Sequence, residues 1–170
     1  TNSESTSQGL QVLSKSSVKE VFEYYYDTFS IKNLAHLSHR PLVTGILMMD
    51  LETGWGMKAE KSYAQQVVEM KNLIAQKTIL PFLALDPRRA GLSGEDNLYQ
   101  LFLKAFAEGE NSFFGVKCYP ALGYFPNDER LDPIFRICEE KNIPVTTHCG
   151  GESVSTFLKV IDIQCPDKPQ

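Results

Sequence analysis

The chain has no long apolar run, no basic stripe and no paired-cysteine signature, and each absence removes a class of function. No stretch approaches the roughly 20 consecutive apolar residues of a membrane-spanning helix, so no membrane partner is expected. Lys and Arg number 17 against 21 Asp and Glu, for a net charge of −4. A general nucleic-acid binder draws its affinity from clustered Lys and Arg, so this balance argues against one. The four cysteines, Cys118, Cys138, Cys149 and Cys165, match neither a zinc knuckle nor a CxxC pair. A chain of this size needs no disulfide framework, and they read as reduced thiols of a cytoplasmic protein. Residues 1–9 are small and polar, without the apolar segment of a secretory leader. No Gly-rich phosphate fingerprint follows the first expected strand, which counts against a dinucleotide-binding domain. Histidine is scarce too, with only His36, His39 and His148.

What is present is a regular alternation. The 170 residues, 42% of them hydrophobic, suffice for one domain with a sizeable core. Residues 1–16 read as a polar tail or loop, 17–163 as the domain and 164–170 as a C-terminal tail. Ser17 and Glu20 have capping-box spacing, and Val18, Val21, Phe22, Tyr25 and Phe29 follow at helical intervals, predicting a helix to about residue 36. The run 42–49 is almost wholly apolar, as in a strand buried on both faces. Further strands are expected at 78–85, 112–119 and 143–147, with a local irregularity at Pro81, which lacks a ladder donor. Between them helices are expected over 59–76, around Leu98 to Phe106 with a stop at Gly109, and after Asp132 as cap with Pro133 in the first position. One more short helix is expected over 153–163. The strand-to-strand repeat of roughly 30 to 36 residues matches a βαβ unit. This alternation means a parallel sheet with helices outside it, either an open doubly wound sheet or part of an eight-fold barrel.

In both architectures the chemistry sits at the C-terminal ends of the strands. Those ends carry Asp50, Asp86, Lys117 with Tyr119, and His148, and the loops beyond add Glu52, Trp55, Arg88, Arg89 and Tyr124. Each residue also has a plainer role. Asp50 and Asp86 can simply start turns. By alternation Lys117 shares a side with Phe113 and Gly115, opposite Phe114, Val116 and Cys118; on a doubly buried strand it must find an anion or reach water. Cys149 beside a histidine invites a nucleophile reading, but no Cys-His-Asn pattern supports it. A lone His148 can be a hydrogen-bonded structural residue, although its place at a strand end before Gly150 and Gly151 favours function. His36 and His39 precede the first strand, so a strand's length of roughly 20 Å separates them from the His148 end.

Three segments carry a resemblance. Gly115-Val-Lys-Cys-Tyr-Pro120, Asn127-Asp-Glu-Arg-Leu-Asp-Pro133 and Ile143-Pro-Val-Thr-Thr-His-Cys-Gly150 resemble the amidohydrolase superfamily. Within it they are most similar to the amidohydrolase-2 type of metal-dependent hydrolases, a branch that also includes decarboxylases and hydratases. Leu47-Met-Met-Asp50 and Leu83-Ala-Leu-Asp-Pro87 fit strands of the same barrel, and the likeness spans about residues 42–151. It implies an α/β fold, a TIM-type parallel (β/α) barrel of which this chain supplies four βα units, strands 2 to 5. It further implies a divalent metal, zinc by the resemblance, with His148 as the strand-5 ligand and Lys117 at the end of strand 4. Two family features are missing: no His-x-His occurs, and nothing supplies strands 6 to 8. The chain is therefore expected to be the central portion of a barrel.

The activity implied is hydrolysis of a C–N or C–O bond in a small carboxylate- or carbonyl-bearing substrate by metal-activated water. Lys117 and His148 would be catalytic; Lys117, Arg88 or Arg89 would pair with a substrate carboxylate, and Trp55, Tyr119 and Tyr124 would line the pocket. Non-oxidative decarboxylation or hydration on the same fold is the first alternative. A second is a non-catalytic partial barrel that works by assembling with another copy or a complementary fragment, since four strands leave two open edges. A third is an open α/β domain that binds a small ligand.

Overall fold

The structure, a computed structural model, describes residues 17–28, 43–56, 59–75, 79–109 and 111–148, apart from the side chains of Val18, Trp55 and residues 25–28. In chain order its elements are helix α1 (Val18–Thr28), strand β1 (Thr44–Leu47), the short helix α2 (Leu51–Trp55), α3 (Tyr63–Ile74), β2 (Ile79–Leu85), α4 (Leu98–Ala105), β3 (Gly115–Cys118), α5 (Asp132–Glu140) and β4 (Val145–Thr147). Single 3-10 turns at Pro87–Gly91, Gly94–Asp96, Pro120–Leu122 and Glu129–Leu131 lie in the connections. The helix expected over 153–163, Cys149, Cys165, His36 and His39 lie outside the described residues.

All the described strands are parallel and pair in the order β1-β2-β3-β4. The sheet curls like half of a barrel. A doubly wound sheet reverses its strand order at a switch point; this order runs one way, which fits a partial parallel barrel. Register sets the two faces, because side chains alternate along a strand. Ile46, Pro81, Leu83, Leu85, Val116 and Cys118 share the outer face. There they meet Val67 and Met70 of α3, Leu101 and Phe102 of α4, and Ile134 and Cys138 of α5 in one buried core. The concave face carries Leu47, Phe82, Ala84, Gly115, Lys117 and Thr146, and Leu47 there is half exposed.

Local chemistry explains where the elements start and stop. Ser17 Oγ accepts from the Glu20 N–H at 3.1 Å and opens α1. The third helix begins at Tyr63, later than expected, because Ser62 and Gln65 form a reciprocal capping box; the S-x-x-Q spacing was there to be read. Asp132 is the first residue of α5 and does not cap it. The preceding 3-10 turn, itself capped by Asp128, runs straight into the helix, so Pro133 still falls in the first turn. The α4 helix ends at Ala105, before Gly109, whose φ of 133° belongs to the loop. Asn142 ends the α5 turn in the left-handed region at φ 55°, with the Ile143 N–H returning to the Cys138 carbonyl.

Two expectations about the strands change. Strand β2 runs unbroken through Pro81. The Pro81 carbonyl points toward β3, accepting from the Phe114 N–H at 2.9 Å. Its missing donor points the same way, ahead of Gly115, the first β3 residue in register, so the ladder loses nothing. The alternation expected through residue 113 fails before the strand begins. Phe113 is buried edge-on to Phe106 behind α4, whereas Phe114 is 43% exposed and meets Phe82 at 5.5 Å. Strict alternation starts only at Gly115. Gly115 is needed for space: a Cβ there would lie 2.6 Å from the Phe82 ring and 2.7 Å from the Pro144 carbonyl oxygen.

Candidate functional site

The C-terminal ends of β3 and β4 bring three expected residues together. Cys118 pairs with Thr147, and the His148 N–H donates to the Cys118 carbonyl at 3.0 Å. The register therefore sets Tyr119 beside His148, two residues on from Lys117 and Thr146 on the same face. The Tyr119 and His148 rings meet edge to face at 4.7 Å, and Lys117 Nζ lies 5.9 Å from the Tyr119 ring centre. The three form a short strip: ammonium, phenol ring, imidazole. His148 is exposed, Tyr119 half-buried, and Lys117 only 7% exposed. Among the described residues Lys117 has no carboxylate partner and no hydrogen bond from its ammonium. Its neighbours in register are small, Ala84 on β2 and Thr146 on β4.

The other charged residues of this rim are already committed to one another. Asp86 accepts from the Arg88 N–H at 2.9 Å, which caps the turn, and grips the Arg88 guanidinium through both oxygens at 2.8 and 2.5 Å. Arg88 also donates to the Leu122 carbonyl at 3.1 Å. The hydrogen bond to Asp86 raises the Arg88 pKa against the opposing effect of burial. Asp50 caps α2, accepting from the Thr53 N–H at 3.2 Å, and takes Arg89 through both oxygens at 2.5 and 3.0 Å. Arg89 is 2% exposed and also donates to Glu52 at 2.8 Å, with its guanidinium 5.0 Å over the Tyr63 ring. Burial alone would lower its pKa, but Asp50 and Glu52 outweigh burial and raise it. Asp96 Oδ1 sits 3.6 Å from Arg89 Nη1, an ion-pair distance without a hydrogen bond. Arg89 is thus the hub of a buried network that ties the β1 and β2 ends together. The turn-starting role of Asp50 and Asp86 is observed at both positions, with an ion pair added to each.

Two tyrosines that the strand pattern did not single out as clamps hold this rim in shape. Where β1 ends, Ala84 loses its ladder partner. The Tyr63 hydroxyl replaces it, accepting from the Ala84 N–H at 2.8 Å and donating to its carbonyl at 3.1 Å. Between β2 and β3 the Tyr124 hydroxyl enters the ladder itself, donating to Leu85 O at 2.5 Å and accepting from the Tyr119 N–H at 2.6 Å. Burial pushes both phenol pKa values above the ordinary tyrosine value. Tyr124, expected to line a pocket, is a buried wedge. Trp55 closes α2, and its side chain lies outside the description.

Zinc takes about three protein ligands at a catalytic site. Among the described residues no three His, Cys, Asp or Glu side chains come together in a way that could hold a metal. The ring packed against His148 is a phenol, and the cation beside that phenol is an ammonium, so the described residues alone do not fit a zinc centre. Compared with known proteins, the chain matches no family model, no curated protein and no solved structure. No helix among the described residues is long and apolar enough to cross a membrane.

Proposed function

We propose that the chain carries the strand 2 to 5 portion of a TIM-type (β/α) barrel hydrolase of the amidohydrolase kind, acting on a small carboxylate- or carbonyl-bearing substrate at the C-terminal rim. The observation that supports this reading is the Lys117–Tyr119–His148 strip, on one face of adjacent parallel strands at the end where such folds carry their chemistry. In this reading His148 is exposed so that it can orient the reacting carbonyl by hydrogen bonding, and Tyr119 forms an aromatic floor beside it. A divalent metal such as zinc, with His148 among its ligands, requires its other ligands from residues outside the described ones.

The test is turnover of a panel of small amide and ester carboxylates by the chain and by His148→Ala. Positioned acid–base or orienting groups contribute about 100-fold or more, so the variant should lose at least that in kcat/KM. Unchanged turnover in His148→Ala removes the reading. Release of carbon dioxide without hydrolysis, or addition of water to a double bond, selects the decarboxylase or hydratase alternative on the same strip.

One observation favours a second reading, a partial barrel that acts by assembly. Large apolar side chains are exposed on or beside both edge strands: Leu47 at 50% with Val43 and Met49 at β1, and Val145 at 50% on β4. Parallel sheets are ordinarily covered on both faces. Sizing chromatography with light scattering checks it, and a folded monomer at micromolar concentration speaks against assembly.

A further inference from the structure

We infer that Lys117 is the anchor for a small monoanionic carboxylate, and that neither Arg88 nor Arg89 takes that part. The inference rests on the reading of the C-terminal rim as a small-molecule site, and it adds the charge and size of the group bound there. Among the described residues three cations stand at this rim. Arg88 is neutralised by a two-point contact with Asp86, and Arg89 by Asp50 and Glu52. An anion reaching either arginine would have to displace a carboxylate already held in better geometry. Lys117 is different: it is 93% buried, faces the concave side and has no anion among the described residues. A buried ammonium without a counter-charge is costly, and an incoming anion removes that cost.

The surroundings select the kind of anion. One ammonium matches one negative charge. Phosphate sites recruit several N–H groups at a helix N-terminus, or arginines, and here the turn after β3 opens with Pro120, which has no N–H to give. The side chains in register on either side of Lys117, Ala84 and Thr146, are small. The Thr146 side chain, in register with Lys117, adds a hydroxyl on the same face.

The experiment uses the whole chain and labelled acetate. Acetate binding is followed by NMR titration in the wild type, Lys117→Met and Lys141→Met; Lys141 is an exposed residue just beyond α5. A charge-assisted contact is worth about tenfold to a hundredfold in affinity. Lys117→Met should lose that much, Lys141→Met should bind like wild type, and inorganic phosphate should compete weakly. Thermal unfolding is read alongside. Removing an unpaired buried charge should leave Lys117→Met as stable as wild type or more so. The inference is overturned if the wild type does not bind acetate, if Lys117→Met binds it equally, if phosphate binds more tightly than acetate, or if Arg88→Met loses as much affinity as Lys117→Met. It is equally overturned if Lys117→Met is strongly destabilised, because Lys117 then already has an anionic partner within the chain. Turnover plays no part in this test. Acetate binding without hydrolysis sinks the hydrolase reading alone; hydrolysis without acetate binding at Lys117 sinks this inference alone.

Discussion

Replacing Arg89 by Met probes the tie between the first two strands. Arg89 and Asp50 are 2% and 1% exposed and 39 residues apart in sequence, joined by contacts of 2.5 and 3.0 Å. Arg89→Met keeps an unbranched apolar stem but leaves the Asp50 carboxylate buried without its hydrogen-bonded cation, since Arg88, the other guanidinium that feels its charge, is held by Asp86. Glu52, a third exposed, can turn to water, whereas Asp50 cannot. Breaking a buried pair from one side costs about 3–5 kcal/mol, a large share of the roughly 5–15 kcal/mol that holds an ordinary domain folded. For a chain of this length that corresponds to a fall in Tm of about 6–20 °C. Removing both charges, as in Arg89→Met with Asp50→Asn, should recover much of the loss, because the uncompensated carboxylate is then gone. Equilibrium urea unfolding followed by circular dichroism measures both variants. A loss below about 1 kcal/mol in Arg89→Met, at unchanged denaturant slope, refutes the claim that this network fastens β1 to β2.

Three further outcomes are expected. Gly115→Ala should cost about 1–3 kcal/mol by urea unfolding, since the new methyl meets the Phe82 ring and the Pro144 backbone oxygen, and the backbone atom cannot step aside. Tyr124→Phe strips the bridging hydroxyl from Leu85 O and the Tyr119 N–H and should cost about 1–3 kcal/mol; amide hydrogen exchange at Tyr119 should rise with it, and unchanged exchange would mean that the ladder closes without the wedge. Burial raises the Cys118 and Cys138 thiols from 9.0 to about 11. A raised folded-state value gives stability that is complete below pH 9 and is lost as pH climbs from about 9 to about 11, with Tyr63 and Tyr124 adding to the loss in alkali. Unfolding midpoints across pH 8 to 11 should therefore fall, less steeply in Cys138→Ala, and a flat profile contradicts the burial of these thiols.

Much of the scaffold was legible along the chain because its signals are local. The periods of Leu98, Leu101, Phe102 and Ala105, and of Tyr63, Val67 and Met70, mark helix faces that prove buried. The apolar runs before Asp50 and Asp86 mark strands that end where those carboxylates begin the next turn. Helix starts were less legible. Asp132 looked like a cap, but the Glu129–Leu131 turn had already begun the helical path, and a sequence pattern does not show that continuity.

The site divides along the same line. That Lys117, Tyr119 and His148 stand at the ends of successive strands follows from composition and alternation alone, and a two-residue period puts 117 and 119 on one face. Which charges stay free there depends on contacts between segments far apart in sequence. Arg88 and Arg89 are neighbours in the chain with the same chemistry, yet one folds back on Asp86 and the other crosses to Asp50. The parallel α/β alternation and the polar residue at each strand end can be read along the chain, because period and turn chemistry are properties of neighbouring residues. The one-way strand order, the tyrosine wedge and the burial of Lys117 apart from any described carboxylate arise from contacts across the fold. Those depend on register, and register is fixed by packing between strands whose paired residues lie 29 to 35 apart in the chain.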